Sequence, residues 1–533
     1  MKRWNFVLRL AAFALALALL PTAAMAQTQF TGTTSGGAFY RIDVPPGWAP
    51  ENGLVIWNHG FSLEPIGPLD EEEDMGPLYQ VQLAQGYAVA ASSYSLTGWA
   101  LFETVQDLED LYEVFVDEVG IPQQVIVYGA SLGGIVTAQA IEEANLGNVV
   151  GALPICGAVG GSRIWDGAFD LRQMYDAICG DVPGAEIPGG FTGLPFPPTV
   201  VDIFTPINVC TGLLLDPADR SEDQAARLAQ MIAVSQLPEN FLLTDLSFAT
   251  FGMSDLIFDP RKMAGANPLG NADVVYGDPD VDANAPRQAV DPEARRYFFD
   301  NYTPRGQVGD VKIVSIHTDK DGLVIVENQN EYAKVVPPEN LSVGIVVEDV
   351  PTHCGFTEAE AVGAWEALRG WVAGLTPQPT ANDLQIACQA TEATGIFPGP
   401  CRYNPAFLVE DLNERVRPRG ACVPGANTLC LGDDGRFRAE VEWQDFEGNT
   451  GNGNSTVFQT DDTGSFWFFD PNNIEMVVKA IDGRRDNGRF WIFFGSLTNV
   501  SFDMVVTDTV TGLQKTYSNP LSNFASVGDN EAF

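Results

Sequence analysis

Ten residues, Val125-Ile126-Val127-Tyr128-Gly129-Ala130-Ser131-Leu132-Gly133-Gly134, constrain this chain more than any others. An apolar strand runs into a turn of small residues around one serine, and a helical pattern continues from there through Ala144. Small residues two before and two after Ser131 let the backbone turn sharply enough to expose the hydroxyl, and the helix start adds partial positive charge where an anion would form. The plainer use of the same residues is a glycine-rich turn around a buried serine. Strand, G-x-S-x-G turn and helix together make Ser131 the candidate nucleophile.

From Tyr40 to about Gly374 apolar strands alternate with helices, so an α/β class is expected, with a mainly parallel sheet covered on both faces. Strands read at Leu54–Trp57, Ala88–Ala91, Val125–Tyr128, Val149–Pro154, Val311–Ile316 and Val343–Val347. A helix over 101–118 carries Leu101, Val105, Leu108, Leu111, Val114 and Phe115 as a one-faced stripe, which core packing explains. Residues 157–310, about 150 in number, separate two strands where a few residues usually suffice, so they need structure of their own. The expectation is a cap or lid over the site; the alternative is an ordinary loop over the core. Within it, Gly189-Gly190-Phe191-Thr192-Gly193-Leu194-Pro195-Phe196-Pro197-Pro198 suits an apolar substrate wall.

Pro377-Gln378-Pro379-Thr380 closes the helical stretch that holds Trp365 and Trp371, and a Cys-, Pro- and Gly-rich linker is expected over 379–420. A second domain, 421–533, should begin near Ala421. Its runs Arg436–Trp443, Ser465–Phe469, Ile474–Ile481, Arg489–Phe494 and Phe502–Thr507 are β-branched and aromatic, with turns at Asp482-Gly483 and Asn487-Gly488, and argue a small all-β sandwich. At 533 residues the chain exceeds what one core usually serves, so two domains, 27–378 and 421–533, are the expected division.

The chain opens Met1-Lys2-Arg3, continues apolar from Phe6 to Leu20, and reaches Ala24-Met25-Ala26 before Gln27, the order of a signal peptide over 1–26. That apolar run is shorter than the roughly 20 residues a bilayer span needs, and no later segment is expected to span. The destination read from these residues is the periplasm or the medium. With 70 acidic against 29 basic residues and a net charge of −41, neither nucleic acid nor an anionic membrane surface is an expected partner. The run Asp70-Glu71-Glu72-Glu73-Asp74 lacks the spaced ligands and glycine of a calcium loop and reads as solvated. No metal or cofactor is expected. Eight cysteines in an exported chain allow four disulfides. Cys179 with Cys210, Cys388 with Cys401 and Cys422 with Cys430 each close a local loop, which leaves Cys156 and Cys354; the sequence does not fix the connectivity.

A serine hydroxyl needs a base to take its proton, and the chain holds three histidines. His59 precedes the serine, in Trp57-Asn58-His59-Gly60-Phe61. His317 ends a strand and is followed at once by acids, which suits a structural role. His353 follows the strand Val343–Val347 and precedes a helix capped by Thr357 with Glu360, giving the order serine, acid, histidine, and is the expected base. The loop Thr318-Asp319-Lys320-Asp321-Gly322-Leu323-Val324 offers two acids, Asp319 and Asp321, either of which can instead simply cap the turn.

The span from Gly53 to Gly374 resembles secreted bacterial members of the α/β-hydrolase superfamily, through His59-Gly60, Gly129-Ala130-Ser131-Leu132-Gly133-Gly134, the acid loop at Asp321 and Thr352-His353-Cys354-Gly355-Phe356-Thr357. The resemblance implies the α/β-hydrolase fold, a Ser131-Asp321-His353 triad, and the backbone amides of Phe61 and Leu132 as oxyanion donors. Such hydrolases usually read D-x-x-V in the acid turn, which Asp321-Gly322-Leu323-Val324 matches; Asp319 is the runner-up. Cys354 beside the histidine is similar to the tannase and feruloyl-esterase group, where a disulfide ties the residue before the serine to the residue after the histidine. Ala130 departs from that pattern, and Cys156 at the end of the next strand is the alternative partner. The C-terminal part is similar, through Phe466-Trp467-Phe468-Phe469-Asp470-Pro471-Asn472-Asn473, to a small β-rich module of exported bacterial proteins.

The function expected on these grounds is hydrolysis of a small-molecule or polymeric carboxylic ester through an acyl-enzyme. Peptide hydrolysis of the prolyl-oligopeptidase type is the alternative, although that branch often carries its extra β domain before the catalytic one. A non-catalytic binding protein on a hydrolase scaffold is a third reading, against which the intact triad order argues. The aromatic strands Ser465–Phe469 and Arg489–Phe494 leave room for polymer or carbohydrate contact by the second domain, or simply fill a sandwich core.

Overall fold

The structure, a computed structural model, describes residues 27–64, 66–187, 200–412, 422–432, 435–458 and 460–533. The expected signal peptide over 1–26, the Gly189–Pro198 wall and the proposed domain start at Ala421 lie outside the described residues.

Eight strands form one sheet in the order β1-β2-β4-β3-β5-β6-β7-β8. They are Thr28–Thr33, Phe39–Val44, Leu54–Asn58, Ala88–Ser92, Val125–Ala130, Val149–Ile155, Lys312–Thr318 and Leu341–Val346, numbered β1 to β8 in chain order. The pairs β1 with β2 and β2 with β4 are antiparallel, and the remaining neighbours run parallel. This is the α/β-hydrolase fold. Alternate side chains of β5 serve two cores. Val125 and Val127 pack with Ile135 and Val136 of the helix Leu132–Glu143 on one face, while Ile126 and Tyr128 pack with Trp365 and Leu368 of the helix Glu358–Val372 on the other. A parallel strand buried on both faces must be apolar throughout, which is why β3 to β8 were readable. The edge hairpin β1–β2 was not. The TQFTGT residues of β1 alternate between exposed and half-buried and bring no apolar run to the pattern.

The insertion between β6 and β7 is mainly helical and carries a core of its own, in which Tyr175 and Cys179 of the helix Ile164–Cys179 meet Ile207 and Cys210 of the helix Thr205–Thr211. The Cys179–Cys210 disulfide closes that core. Within the insertion, a buried, bidentate pair from Arg295 to both oxygens of Asp166, each at 2.7 Å, ties its end to its beginning. The helical run Glu239–Phe258 is long and apolar enough, by length and composition, to cross a membrane, which corrects the expectation that no later segment is. Asp245, Ser247, Thr250 and Asp255 interrupt it to the eye, and 67% of its most apolar stretch is buried inside the protein.

Residues 379–420, expected as a linker, include the helix Ala381–Glu392, which buries Leu384 and Cys388 against the sheet. Cys388 is bridged to Cys401, and Tyr403 pairs with Val346 at the edge of β8. Beyond them two five-stranded antiparallel sheets, β11-β10-β16-β17 with β9 beside β10, and β12-β13-β14-β15-β18, share a core of Phe437, Phe466, Ile492, Phe502 and Met504. Their strands are Leu429–Leu431, Phe437–Gln444, Thr450–Asn452, Asn454–Val457, Thr463–Trp467, Met476–Gly483, Arg489–Ser496, Ser501–Asp508, Gln514–Asn519 and Ser526–Asp529, numbered β9 to β18.

Truncation separates the two accounts of 379–412. A chain ending near Pro379 loses the buried Leu384, Cys388 and Tyr403. At about 2–5 kcal/mol for each large buried side chain, that exceeds most of a typical folding stability. It should show no cooperative melt by circular dichroism, whereas a chain ending near Leu412 should melt cooperatively.

Candidate functional site

Ser131 sits between β5 and the helix Leu132–Glu143 at φ 57°, ψ −121°, a conformation that L residues rarely adopt. Its N–H donates to Ile155 O at 3.0 Å, and its own carbonyl accepts from Gly134 N at 3.0 Å. The turn closes because the flanking residues lack side chains. A Cβ at Gly129 would lie 2.2 Å from Gly133 O, and one at Gly133 would lie 1.9 Å from Asn58 O. No ordinary side chain fits either place.

His353 Nε2 lies 2.9 Å from Ser131 Oγ, and His353 Nδ1 lies 2.7 Å from Asp321 Oδ2. Asp321 is buried. Its Oδ1 accepts the N–H groups of Leu323 and Val324, each at 3.0 Å, and its Oδ2 also accepts Cys354 N at 3.3 Å. The carboxylate is thus held by its own loop with one oxygen left for the imidazole. Taken with those bonds, the ring carries its proton on Nδ1 and offers Nε2 to the serine hydroxyl. Asp319 faces elsewhere, its Oδ1 accepting Glu348 N at 2.8 Å, which ties the end of β7 to the end of β8. Asp321, His353 and Cys354 place three potential ligand atoms within 4.8 Å of one another. The Cys354 sulfur is in a disulfide, however, so the group lacks the thiolate a metal would use.

The other two histidines are spent on structure. His317 is fully buried with Nε2 at 2.7 Å from Val324 O and Nδ1 at 3.0 Å from Gln329 Nε2, so its ring braces the Asp321 turn from behind. Burial lowers its pKa and keeps it neutral. His59 stacks on Tyr94 at 4.1 Å with Nδ1 at 2.8 Å from Gly60 O, and burial lowers its pKa too.

Cys156 and Cys354 are joined, with Cα atoms 5.4 Å apart, and the other three expected pairs are present as well, including Cys422–Cys430. Both cysteines of the first bridge have positive φ, 42° and 56°, as does Ser131. The bridge therefore fixes the loop that presents His353 to the strand end that follows the serine helix.

Ser131 opens on a cavity of about 140 Å³. Phe61 and Leu132, the expected oxyanion residues, line it beside the serine, and Gly60 packs so closely that a Cβ there would touch Ser131 Cβ at 3.5 Å. Trp99, Ile164, Trp165, Leu171, Met174 and Phe248 make most of the wall apolar. Most of these come from the insertion, so the cap is part of the site. The reading of the sequence placed the cap but none of these wall residues, nor Asp170 and Asp245, which also face the cavity. Their helices are amphipathic like any others, and only the fold shows which face meets Ser131.

No protein-family model matches this sequence, and no curated protein matches it either. Among solved structures it is similar to an esterase from Pyrococcus furiosus, at 13% identity over 68% of this chain and 92% of that one, with a TM-score of 0.30. Candida antarctica lipase A in its closed state is similar at 16% identity over 70% and 89%, with a TM-score of 0.34. A rice cell wall degrading esterase from Xanthomonas oryzae is similar at 14% identity over 66% and 88%, with a TM-score of 0.30. Likeness at this level assigns no substrate and no residue role, which rest on the geometry above.

The bridge beside His353 spans 198 residues of sequence, a loop for which chain-entropy models allow about 5 kcal/mol of stabilisation. The Cys156→Ala, Cys354→Ala double variant should unfold at a clearly lower denaturant concentration than the parent chain. An unchanged midpoint would show that the bridge adds nothing to stability.

Proposed function

We propose that this chain is a serine hydrolase that cleaves carboxylic esters. The observation that carries the reading is the unbroken hydrogen-bonded line Asp321–His353–Ser131, at 2.7 and 2.9 Å, ending at the mouth of an apolar cavity. In this reading Ser131 Oγ attacks the ester carbonyl as His353 Nε2 takes its proton, and Asp321 supports the imidazolium that forms. The negative charge on the carbonyl oxygen goes to the main-chain N–H groups of Leu132, the first residue of its helix, and Phe61. His353 then protonates the departing alkoxide, and a water activated by the same ring releases the acid from the acyl-serine. The apolar wall suits an acyl or alcohol group of low polarity.

One observation favours the alternative, peptide hydrolysis. Asp170, whose Oδ1 accepts the Tyr276 hydroxyl at 3.1 Å, and Asp245 bring two carboxylates to a mostly apolar wall, and a substrate amine is the group such a pair would attract. A panel of p-nitrophenyl esters and aminoacyl p-nitroanilides separates the two, since only the peptidase reading requires turnover of the anilides.

The division into a hydrolase unit and a sandwich, and a destination in the periplasm or the medium, belong to the same proposal. Four disulfides support an oxidising compartment. For polymer contact by the sandwich, the support is Phe469, 53% exposed, and the partly exposed Trp491 and Phe493, which alternate with buried residues on β15.

Ser131→Ala should abolish labelling by a fluorophosphonate, and His353→Ala should cost turnover comparably because the residues act as a unit. Asp321→Asn should lower kcat by about 10⁴-fold by releasing the imidazole to the wrong tautomer. Asp319→Asn should cost far less; the reverse ranking, measured on one soluble ester, would move the acid to Asp319.

A further inference from the structure

The chain has only 29 basic residues and a net charge of −41, yet six arginines converge on a single second cavity of about 70 Å³. Arg163, Arg296 and Arg305 come from the cap insertion, and Arg436, Arg484 and Arg489 from the sandwich. The cavity therefore lies in the seam between the two, and its volume is several times the roughly 10–15 Å³ that one water needs. Three carboxylates also line it, Asp300, Glu331 and Asp508.

Among the described residues, those carboxylates leave the guanidiniums of Arg296 and Arg305 without a hydrogen-bonded acid. Asp508 is taken by Arg436 in a bidentate pair, both bonds 2.8 Å, and Asp300 by Arg489 at 2.9 Å. Glu331 is shared, at 3.9 Å from Arg163, 3.7 Å from Arg484 and 3.5 Å from Lys334. Arg484 has Asp482 as its close partner at 2.7 Å. Arg296 makes one contact of 3.3 Å, to Ala532 O. Arg305 stands 3.8 Å from Glu143 and 3.9 Å from Asp300, beyond hydrogen-bond reach of both. Most of the donors of these two side chains are thus uncommitted among the described residues. They are also held in place. Gly488 of the sandwich lies directly against the Arg305 stem, where a Cβ would come within 2.7 Å of Cδ and Nε. The guanidiniums of Arg436 and Arg484 lie 4.1 and 4.6 Å from the Phe490 ring centroid. Burial pushes the Arg163 pKa down against the pull of Glu331 and Asp166.

We propose that this cavity binds a small oxyanion, of the phosphate, sulfate or carboxylate class, bridging Arg296 and Arg305 of the cap to the arginines of the sandwich. An anion there accepts the fork-shaped donors of Arg296 and Arg305, to which no carboxylate of the described lining is hydrogen-bonded. It is distinct from the Ser131 cavity but shares a wall with it. Arg163 immediately precedes Ile164 and Trp165, which line the Ser131 cavity, and Glu331 lies one helical turn from Asn328, which lines it and accepts Gly160 N at 2.9 Å. Occupancy of the seam is therefore placed to alter substrate binding as well as the hold between the two units.

Isothermal titration of the full-length protein with sodium phosphate, sodium sulfate and sodium acetate tests this, at pH 7 and at one ionic strength set with sodium chloride. The expected result is saturable binding of one anion per chain for at least one of the three, weakened at least tenfold in Arg305→Gln and in Arg296→Gln. Preference for acetate would identify a planar carboxylate as the ligand, and preference for sulfate or phosphate a tetrahedral anion. Saturable heat with none of the three, or equal affinity in the parent and in whichever of the two variants melts cooperatively, would overturn the proposal. Sulfate raises melting temperatures generally, by exclusion from protein surfaces, so a thermal shift equal in parent and variants counts against the site rather than for it.

Discussion

Everything at the site depends on the backbone of one residue. Ser131 occupies a region of φ and ψ that costs on the order of 1–3 kcal/mol for a residue with a side chain. Such a residue persists only where its surroundings allow no relaxed alternative. Here the N–H is bound to Ile155 O, the carbonyl to Gly134 N, and the approach of Gly133 to Asn58 leaves no room for the chain to swing out. The strain is offset by these bonds together with the core between β3, β5 and β6. The Ser131 backbone is therefore held on both sides, and the His353 ring that faces it is held as well. The Cys156–Cys354 bridge and the bonds from Asp321 to its own turn supply that placement from the opposite side.

What was legible in the sequence follows from how local each signal is. The turn at Ser131 is written in consecutive residues, and so is the cap of the helix after His353, where Thr357 and Glu360 exchange bonds with each other's backbone. The choice between Asp319 and Asp321 was less local, because both sit in one loop and both accept backbone N–H groups. Resemblance, rather than any property of the two residues, ranked them. The cavity walls were not legible at all, since Trp99, Trp165 and Phe248 become neighbours only after a helical insertion folds across the strand ends. The helix Ala381–Glu392 was lost for a different reason: prolines, glycines and cysteines around it carry the composition of a linker, while the 12 residues themselves form a well-capped helix.

The three histidines show how environment sorts one side chain into different roles. His317 and His59 are both buried, both hydrogen-bonded to carbonyl oxygens and both pushed toward the neutral form by desolvation. Neither ring is bonded to the serine. His353 is the one with a carboxylate on one nitrogen and a hydroxyl on the other, which is the arrangement a proton shuttle requires. His317 still matters to it. Through its contact with Val324 O it steadies the turn whose amides hold Asp321, so Asp321 is positioned through a buried imidazole whose pKa burial lowers.

Charge is distributed in the same uneven way. An excess of carboxylates keeps the chain hydrated, and against it six arginines gather at one cavity with Asp300, Glu331 and Asp508. At the seam, Glu331 draws on Arg163 and Lys334 from its own side and on Arg484 from the C-terminal sheets. Burial alone would raise its pKa, but those cations hold it below the usual range. The stability it contributes is present above the ordinary glutamate pKa and is lost as the pH falls through the depressed value. The seam is therefore weakest once the pH has fallen through the depressed values of Glu331 and Asp508, because the guanidiniums they separate are then left to repel one another.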